Sequence, residues 1–200
     1  MSPVSDSPRI VIIGAHHTSG SYILSILVKT EIAVQFGRFQ NGRLITVPAG
    51  DYLYAGSAMG KRGASTLAHR LIRHTTRSEG KPPHQIQAAL SGALVNHDLN
   101  PASTIPSGVK TPHWHIDYLL DSLDAEITGI ICIRSAQKHE TSLARIISEQ
   151  PGVAILEKGL GATDTASGTH LLRYIEHDPA WWIMLAELAN QIERGQPNAG

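Results

Sequence analysis

The run Tyr54-Ala55-Gly56-Ser57-Ala58, with the basic stretch from Ala64 to Thr76 that follows it, decides how this chain is read. Residues 51–55 alternate as a strand does, side chains passing to opposite faces at each step, and the run is expected to halt at Gly56. Beyond it Leu67, Ala68 and Leu71 recur at helical spacing, which predicts a helix over 64–76. The other side of that helix carries His69, Arg70, Arg73, His74 and, just past its end, Arg77. Arg70 and His74 are four apart and so lie one turn from each other on one face. A tyrosine at a strand end, facing an arginine and a histidine on the next helix, suits phosphate chemistry.

The flanking segments supply a scaffold. Upstream, 9–13 is β-branched and reads as a lead-in strand, 21–28 as a strand, and 31–36 as a second one returning after a tight turn at Lys29-Thr30. Asn41-Gly42 signals a further hairpin into a strand over 43–47. The glycine-bounded segment 14–20 invites a phosphate-loop reading, but its glycine spacing is wrong and no Lys-Ser/Thr follows. Downstream, 84–94 has a modest helical pattern and 96–110 is a polar loop. Thr111-Pro112 reads as the start of a helix that runs to Leu120. A strand is expected over 125–133, a helix over 140–149 with Leu143, Ile146 and Ile147 inward, and an irregular segment over 151–168. A short strand over 170–174 and an amphipathic helix over 179–194, led by Trp181 and Trp182, complete the chain. The expected fold is α/β of the α+β type, a small, mainly antiparallel central sheet flanked by helices with an additional C-terminal strand and helix. Residues 1–14 form a tail and lead-in strand, 15–176 the domain proper, and 177–200 a helix and tail packed on the same domain.

Composition bounds the function. With 200 residues, 42% apolar and 17% charged, the chain is one globular domain rather than a disordered segment. A formal net charge of zero excludes a global attraction to nucleic acid or to a membrane surface. Charge is nevertheless unevenly placed: six of the 17 Lys and Arg residues fall between Lys61 and Lys81 beside the single acid Glu79, leaving eleven basic against sixteen acidic residues elsewhere. Such a stretch is either a solvated helix face or a directed footprint for phosphates. The lone Cys132 sits in an apolar run, which excludes a disulfide framework and a cysteine-built zinc site. Without a secretory pattern or an apolar run of spanning length, a cytoplasmic setting is expected.

Gly20-Ser21-Tyr22, Tyr54-Ala55-Gly56-Ser57, the pair Arg70 and His74, and the block His113-Trp114-His115-Ile116-Asp117-Tyr118-Leu119-Leu120 occur in this order. Together they resemble the GIY-YIG nuclease superfamily, and more narrowly its Uri-type endonuclease branch, which is fused in some proteins to endonuclease III-like glycosylases. The tripeptides alone are weak signals, whereas the ordered set with the complete eight-residue block is specific. The first tripeptide is Gly-Ser-Tyr rather than Gly-Ile-Tyr, and the second is Tyr-Ala-Gly. Near the C-terminus, Thr165 and Ser167 replace two cysteines of the branch while Asp164 and His170 remain.

The resemblance implies a divalent-metal-dependent DNA endonuclease acting in repair or on structured DNA, with DNA and, by analogy with the fused relatives, a DNA-repair glycosylase as partners. Glu140 corresponds to the carboxylate that holds Mg2+ or Mn2+, Tyr22 to the general base, and Tyr54 to its hydrogen-bonding neighbour. Arg70 stabilises charge on the phosphate, and His74 orients a tyrosine or relays its proton. Gly56, Ser57, Lys61, Arg62, Arg73 and Arg77 are the expected nucleic-acid contacts. His113, His115, Asp117, Asp164 and His170 form a candidate second metal site or an outer network around the first. On a helix His113 and Asp117 share a face and His115 does not, which favours the network. The alternatives are a nucleic-acid-binding module without catalysis, on the same scaffold, and a small metabolic or regulatory protein reusing the fold.

Overall fold

The computed structural model describes residues 9–99, 110–161, 169–176, 178 and 180–195. Its centre is a six-stranded sheet in the order β1 (Arg9–Ile13), β6 (Ala125–Arg134), β2 (Gly20–Val28), β5 (Gly50–Ala58), β8 (Leu171–Tyr174), β7 (Val153–Ile155). All neighbours run antiparallel except β1 and β6, which are parallel. A separate antiparallel pair is made by β3 (Ile32–Gln35) and β4 (Leu44–Val47). Among the described residues five α-helices complete the fold: α1 (Leu67–Thr75), α2 (Gln87–Asn96), α3 (His115–Leu120), α4 (Glu140–Ser148) and α5 (Trp181–Glu193). The expected class, a mainly antiparallel sheet between helices, is what the chain adopts.

The two-residue period of the strands divides the core in two. Tyr22, Leu24, Ile26 and Val28 of β2, Tyr52 and Tyr54 of β5, and Ile130 and Cys132 of β6 face α1, α2 and α3. Ile23, Leu53, Ala55, Ile131 and Ile133 face the other way, against Leu143, Ala144 and Ile147 of α4 and Leu185 and Ala189 of α5. Trp182 lies across Gly129, where a Cβ would stand 2.6 Å from its ring. Cys132 is buried, as its apolar setting predicts, and burial pushes its thiol up to about 12.

Several local expectations are corrected. The Tyr52–Tyr54 strand does not halt at Gly56 but runs to Ala58, because Gly56 takes its place in the ladder opposite Tyr22. The turn at Lys29-Thr30 does not pair β2 with β3. Both edges of β2 are taken, by β5 and β6, so β3 pairs with β4 across the Asn41-Gly42 connection instead. The helix expected from Thr111-Pro112 begins only at His115, where the Asp117 carboxylate accepts the backbone N–H groups of His113 and Trp114 at 2.9 and 3.2 Å. The segment 151–168, read as irregular, contains β7, an edge strand too short to announce itself by alternation. Helix α1 starts at Leu67 rather than at 64, after a 3-10 turn at Gly63–Ser65. No helix of the described residues is long and apolar enough to cross a membrane.

Candidate active site

Tyr22 and Tyr54 project from adjacent strands on the face covered by α1, their ring centroids 6.3 Å apart. The place opposite Tyr22 in the ladder is taken by Gly56, and a Cβ there would lie 2.5 Å from Tyr22 Cζ and Oη. Only glycine lets the Tyr22 ring lean across its neighbour strand. Gly56 thus shapes the site and is itself buried. The Tyr22 hydroxyl meets His74 Nε2 at 2.7 Å. His74 does not sit on the polar side of α1. With Leu67 and Leu71 it follows the spacing i, i+4, i+7 and so continues the buried stripe, fully enclosed.

His74 Nδ1 faces Asp117 Oδ1 at 3.3 Å. The other Asp117 oxygen accepts from the Arg73 guanidinium at 3.1 Å, and Lys110 Nζ lies 3.9 Å from Oδ1. Burial opposes the Asp117 charge, but His74, Lys110 and the His113 N–H outweigh it and hold the carboxyl far below its usual range. Burial lowers the His74 pKa, the nearby Asp117 partly offsetting this, so the ring is neutral at pH 7. Burial also raises both tyrosines above their ordinary value, Tyr22 most clearly; Tyr54 and Glu140 add to the Tyr22 shift and Arg70 opposes it.

Arg70 is the cation of the site. Its guanidinium lies over the Trp114 ring, 3.5 Å from the centroid, and among the described residues its side chain makes no hydrogen bond or ion pair. Trp114 is half-buried and serves as the platform for Arg70. Nothing in the residue spacing could have shown this, since it depends on how the segment before α3 meets α1.

Glu140 opens α4 and accepts a hydrogen bond from the Ser57 hydroxyl. His170 Nδ1 lies 2.9 Å from its Oε1 and Lys138 Nζ 3.3 Å from its Oε2. Burial works against the charge, but the close His170 ring, the Ser57 hydrogen bond and the Lys138 charge prevail, so the carboxyl stays ionised. Its charge reaches both tyrosines. The Ser57 hydroxyl is thus turned to Glu140. Lys138 carried no recognisable signal.

The remaining candidates divide. Lys61 and Arg62 are exposed on the loop before α1. Arg73 turns inward to Asp117 and to the Thr111 carbonyl. Arg77 is buried, with its donors on Pro82, Ser122, Ala125, His84 and Glu126, and is a structural residue rather than a surface contact. His113 lies edge-on to Trp114, while His115 accepts the Gly161 N–H at 3.3 Å and packs near Phe39. Among the described residues no group of three or more His, Cys, Asp or Glu stands together to hold a metal, and His113, His115 and Asp117 are turned to separate partners. Asp164 lies outside the described residues, as do Thr165 and Ser167.

Glu140 with the Ser57 hydroxyl offers hard oxygen donors and a stable negative charge. That set fits a cation such as Mg2+ or Mn2+, which fills most of its coordination sphere with water and substrate oxygens. It does not fit a zinc centre, which needs a closed set of nitrogen and sulfur ligands. No curated protein and no solved structure matches the chain. Over residues 21–191 it matches the family described as Domain of unknown function DUF123, and it belongs to that family.

Proposed function

We propose that this protein is a divalent-metal-dependent endonuclease that hydrolyses phosphodiester bonds in DNA, of the Uri-type GIY-YIG kind. The observation that carries the reading is Arg70: a half-buried guanidinium without an acceptor among the described residues, stacked on Trp114 beside two tyrosines and Glu140. A cation withdrawn from water costs stability unless an anion meets it, and a phosphate does so bidentately. Trp114 holds Arg70 through its ring face and engages none of its N–H groups in a hydrogen bond.

In this reading a water attacks phosphorus and gives a proton to the Tyr22 oxygen, whose own proton moves to His74 Nε2, while one P–O bond breaks and the leaving oxygen takes a proton from solvent. Arg70 offsets the charge that develops on the non-bridging oxygens. A cation held by Glu140 supplies Lewis-acid stabilisation of the phosphate. Ser57 and His170 orient the carboxylate, and Tyr54 lines the pocket beside Tyr22. Lys61 and Arg62 extend the contact along the DNA backbone.

The test is nicking of supercoiled plasmid and of branched DNA with Mg2+ or Mn2+, beside Arg70→Ala and Glu140→Ala proteins. The native chain is expected to cut and both variants to lose at least about a hundredfold, as removal of one charge-stabilising group does elsewhere. Equal cutting by all three would place the activity outside this site. Salt-sensitive DNA binding without any cutting would instead favour a binding module.

A further inference from the structure

We infer that Asp117 is a positioning residue which holds His74 in the one tautomer able to take the proton of Tyr22, completing a Tyr22–His74–Asp117 relay. This rests on the proposed phosphodiester hydrolysis and names how its base is activated. The need is plain from the surroundings of Tyr22. Its hydroxyl is buried and holds its proton at neutral pH, so it accepts nothing from water until that proton has somewhere to go.

The geometry provides one exit. Tyr22 Oη lies 2.7 Å from His74 Nε2, and His74 Nδ1 lies 3.3 Å from Asp117 Oδ1. Neither of the latter two atoms makes a hydrogen bond among the described residues; they face each other, buried, at a distance from which a small shift would form one. A carboxylate kept ionised accepts and never donates, so the imidazole carries its hydrogen on Nδ1 and presents the Nε2 lone pair to Tyr22. The 3.3 Å contact is long, as such contacts are before substrate binds, and tightens once the ring is charged. The tyrosine proton passes to Nε2, the phenolate takes a proton from the attacking water, and the leaving oxygen is protonated from solvent. The imidazolium then returns its proton to solvent through Tyr22.

Asp117 divides its work between its two oxygens. Oδ2 accepts from the His113 and Trp114 backbone and from Arg73, which fixes the start of α3. Oδ1 does none of this and is turned to His74. The only other group near that oxygen among the described residues is the Lys110 ammonium, 3.9 Å away. The other charges facing His74 are Lys110 and Arg70, both of which disfavour a charged ring and leave Asp117 as the group that supports it. Tyr22 and Tyr54 close the remaining side of the ring.

The test is Asp117→Asn. The amide oxygen can keep the Oδ2 contacts while its NH2 faces Nδ1, which forces the hydrogen to Nε2 and makes His74 a donor to Tyr22. Nitrogen NMR of 15N-histidine protein should show a protonated Nδ1 at His74 in the native chain and a protonated Nε2 in the variant. With DNA, kcat should fall on the order of 10²–10⁴-fold, the scale of a wrong-tautomer histidine in other hydrolases, with KM little changed. The native pH profile should level off above the His74 pKa, while that of the variant should keep rising with pH. A native His74 protonated on Nε2, or a variant that keeps its kcat, overturns the relay. A native chain with the inferred tautomer that cuts no phosphodiester overturns the endonuclease reading instead. If Asp117→Asn does not fold, the native tautomer still decides, together with His74→Gln, which keeps a side-chain amide within reach of Tyr22 but cannot titrate. Retention of native kcat and pH profile by that variant overturns the relay as well.

Discussion

At the scale of single residues the site depends on one missing methyl group. A Cβ at Gly56 would stand 2.5 Å from the end of the Tyr22 ring, and that ring cannot swing aside freely because its hydroxyl is held 2.7 Å from His74 and its body is buried. Gly56→Ala should therefore displace the hydroxyl from His74. Overpacking of this kind costs about 1–3 kcal/mol. The expected outcome is a lower urea midpoint with an unchanged slope, and a loss of nicking larger than the loss of stability explains. A variant with native nicking would mean that Tyr22 has room the packing does not show, and its position could not then be critical.

At the scale of elements, α1 was legible as a basic helix, but its charge was not legible as a footprint. Six Lys and Arg residues lie between 61 and 81, yet Arg73, Arg77 and Lys81 are drawn to Asp117, Glu126 and Asp121. Those acids come from α3, the turn after it and β6, far along the chain, and spacing within one helix says nothing about them. Lys61, Arg62 and Arg70 remain for phosphates. Each neutralised phosphate contributes about −0.9 to the slope of log K against log salt, so binding should show a slope of about −3, against about −5 for all six. Arg62→Ala should make the slope shallower by about one and leave thermal stability alone. Arg77→Ala should leave the slope alone and destabilise by about 1–3 kcal/mol, because it leaves the buried Ala125 carbonyl without its guanidinium donor. The reverse pattern would restore Arg77 to the interface. The same distance effect explains the topology. The strands 21–28, 43–47 and 125–133 were readable from alternation and turns, but which strands pair was not. Lys29-Thr30 looks like a hairpin locally, and only the demand of β6 for the free edge of β2 prevents one. Tyr22, Tyr54, Arg70 and Glu140 were legible as an ordered motif set. Trp114 and Lys138 were not, being defined by contacts across elements.

At the scale of the molecule, the layer of helices over the tyrosine face is tied to the sheet by two enclosed histidines. His74 links β2 to α3 through Tyr22 and Asp117. His84 accepts the Ile127 N–H on Nδ1 at 3.1 Å and meets the Leu120 carbonyl with Nε2 at 3.0 Å, so it bridges α3 to β6 as a neutral ring. A proton added to Nδ1 would oppose the Ile127 N–H and the Arg77 guanidinium 3.2 Å away. Burial lowers the pKa of both histidines, with Asp117 and Glu126 opposing the shift only in part. The unfolded chain therefore takes up these protons first, at about pH 6.5, and stability must fall as pH drops below that value. The carboxylates act in the same direction lower down. Burial opposes the Glu126 charge, but His84, the Gln85 N–H and Arg77 bring its pKa down to about 2, so its contribution holds above the ordinary carboxyl range and is lost as pH falls towards 2. Calorimetry from pH 8 to pH 4 should show a Tm that is level above about pH 6.5, declines below it, and declines further below about pH 4.5. Because both histidines brace the same layer, the decline should appear in one cooperative transition. A Tm unchanged between pH 7.5 and pH 5 would mean that the two rings escape to water before the fold yields, and the bracing assigned to them would fall.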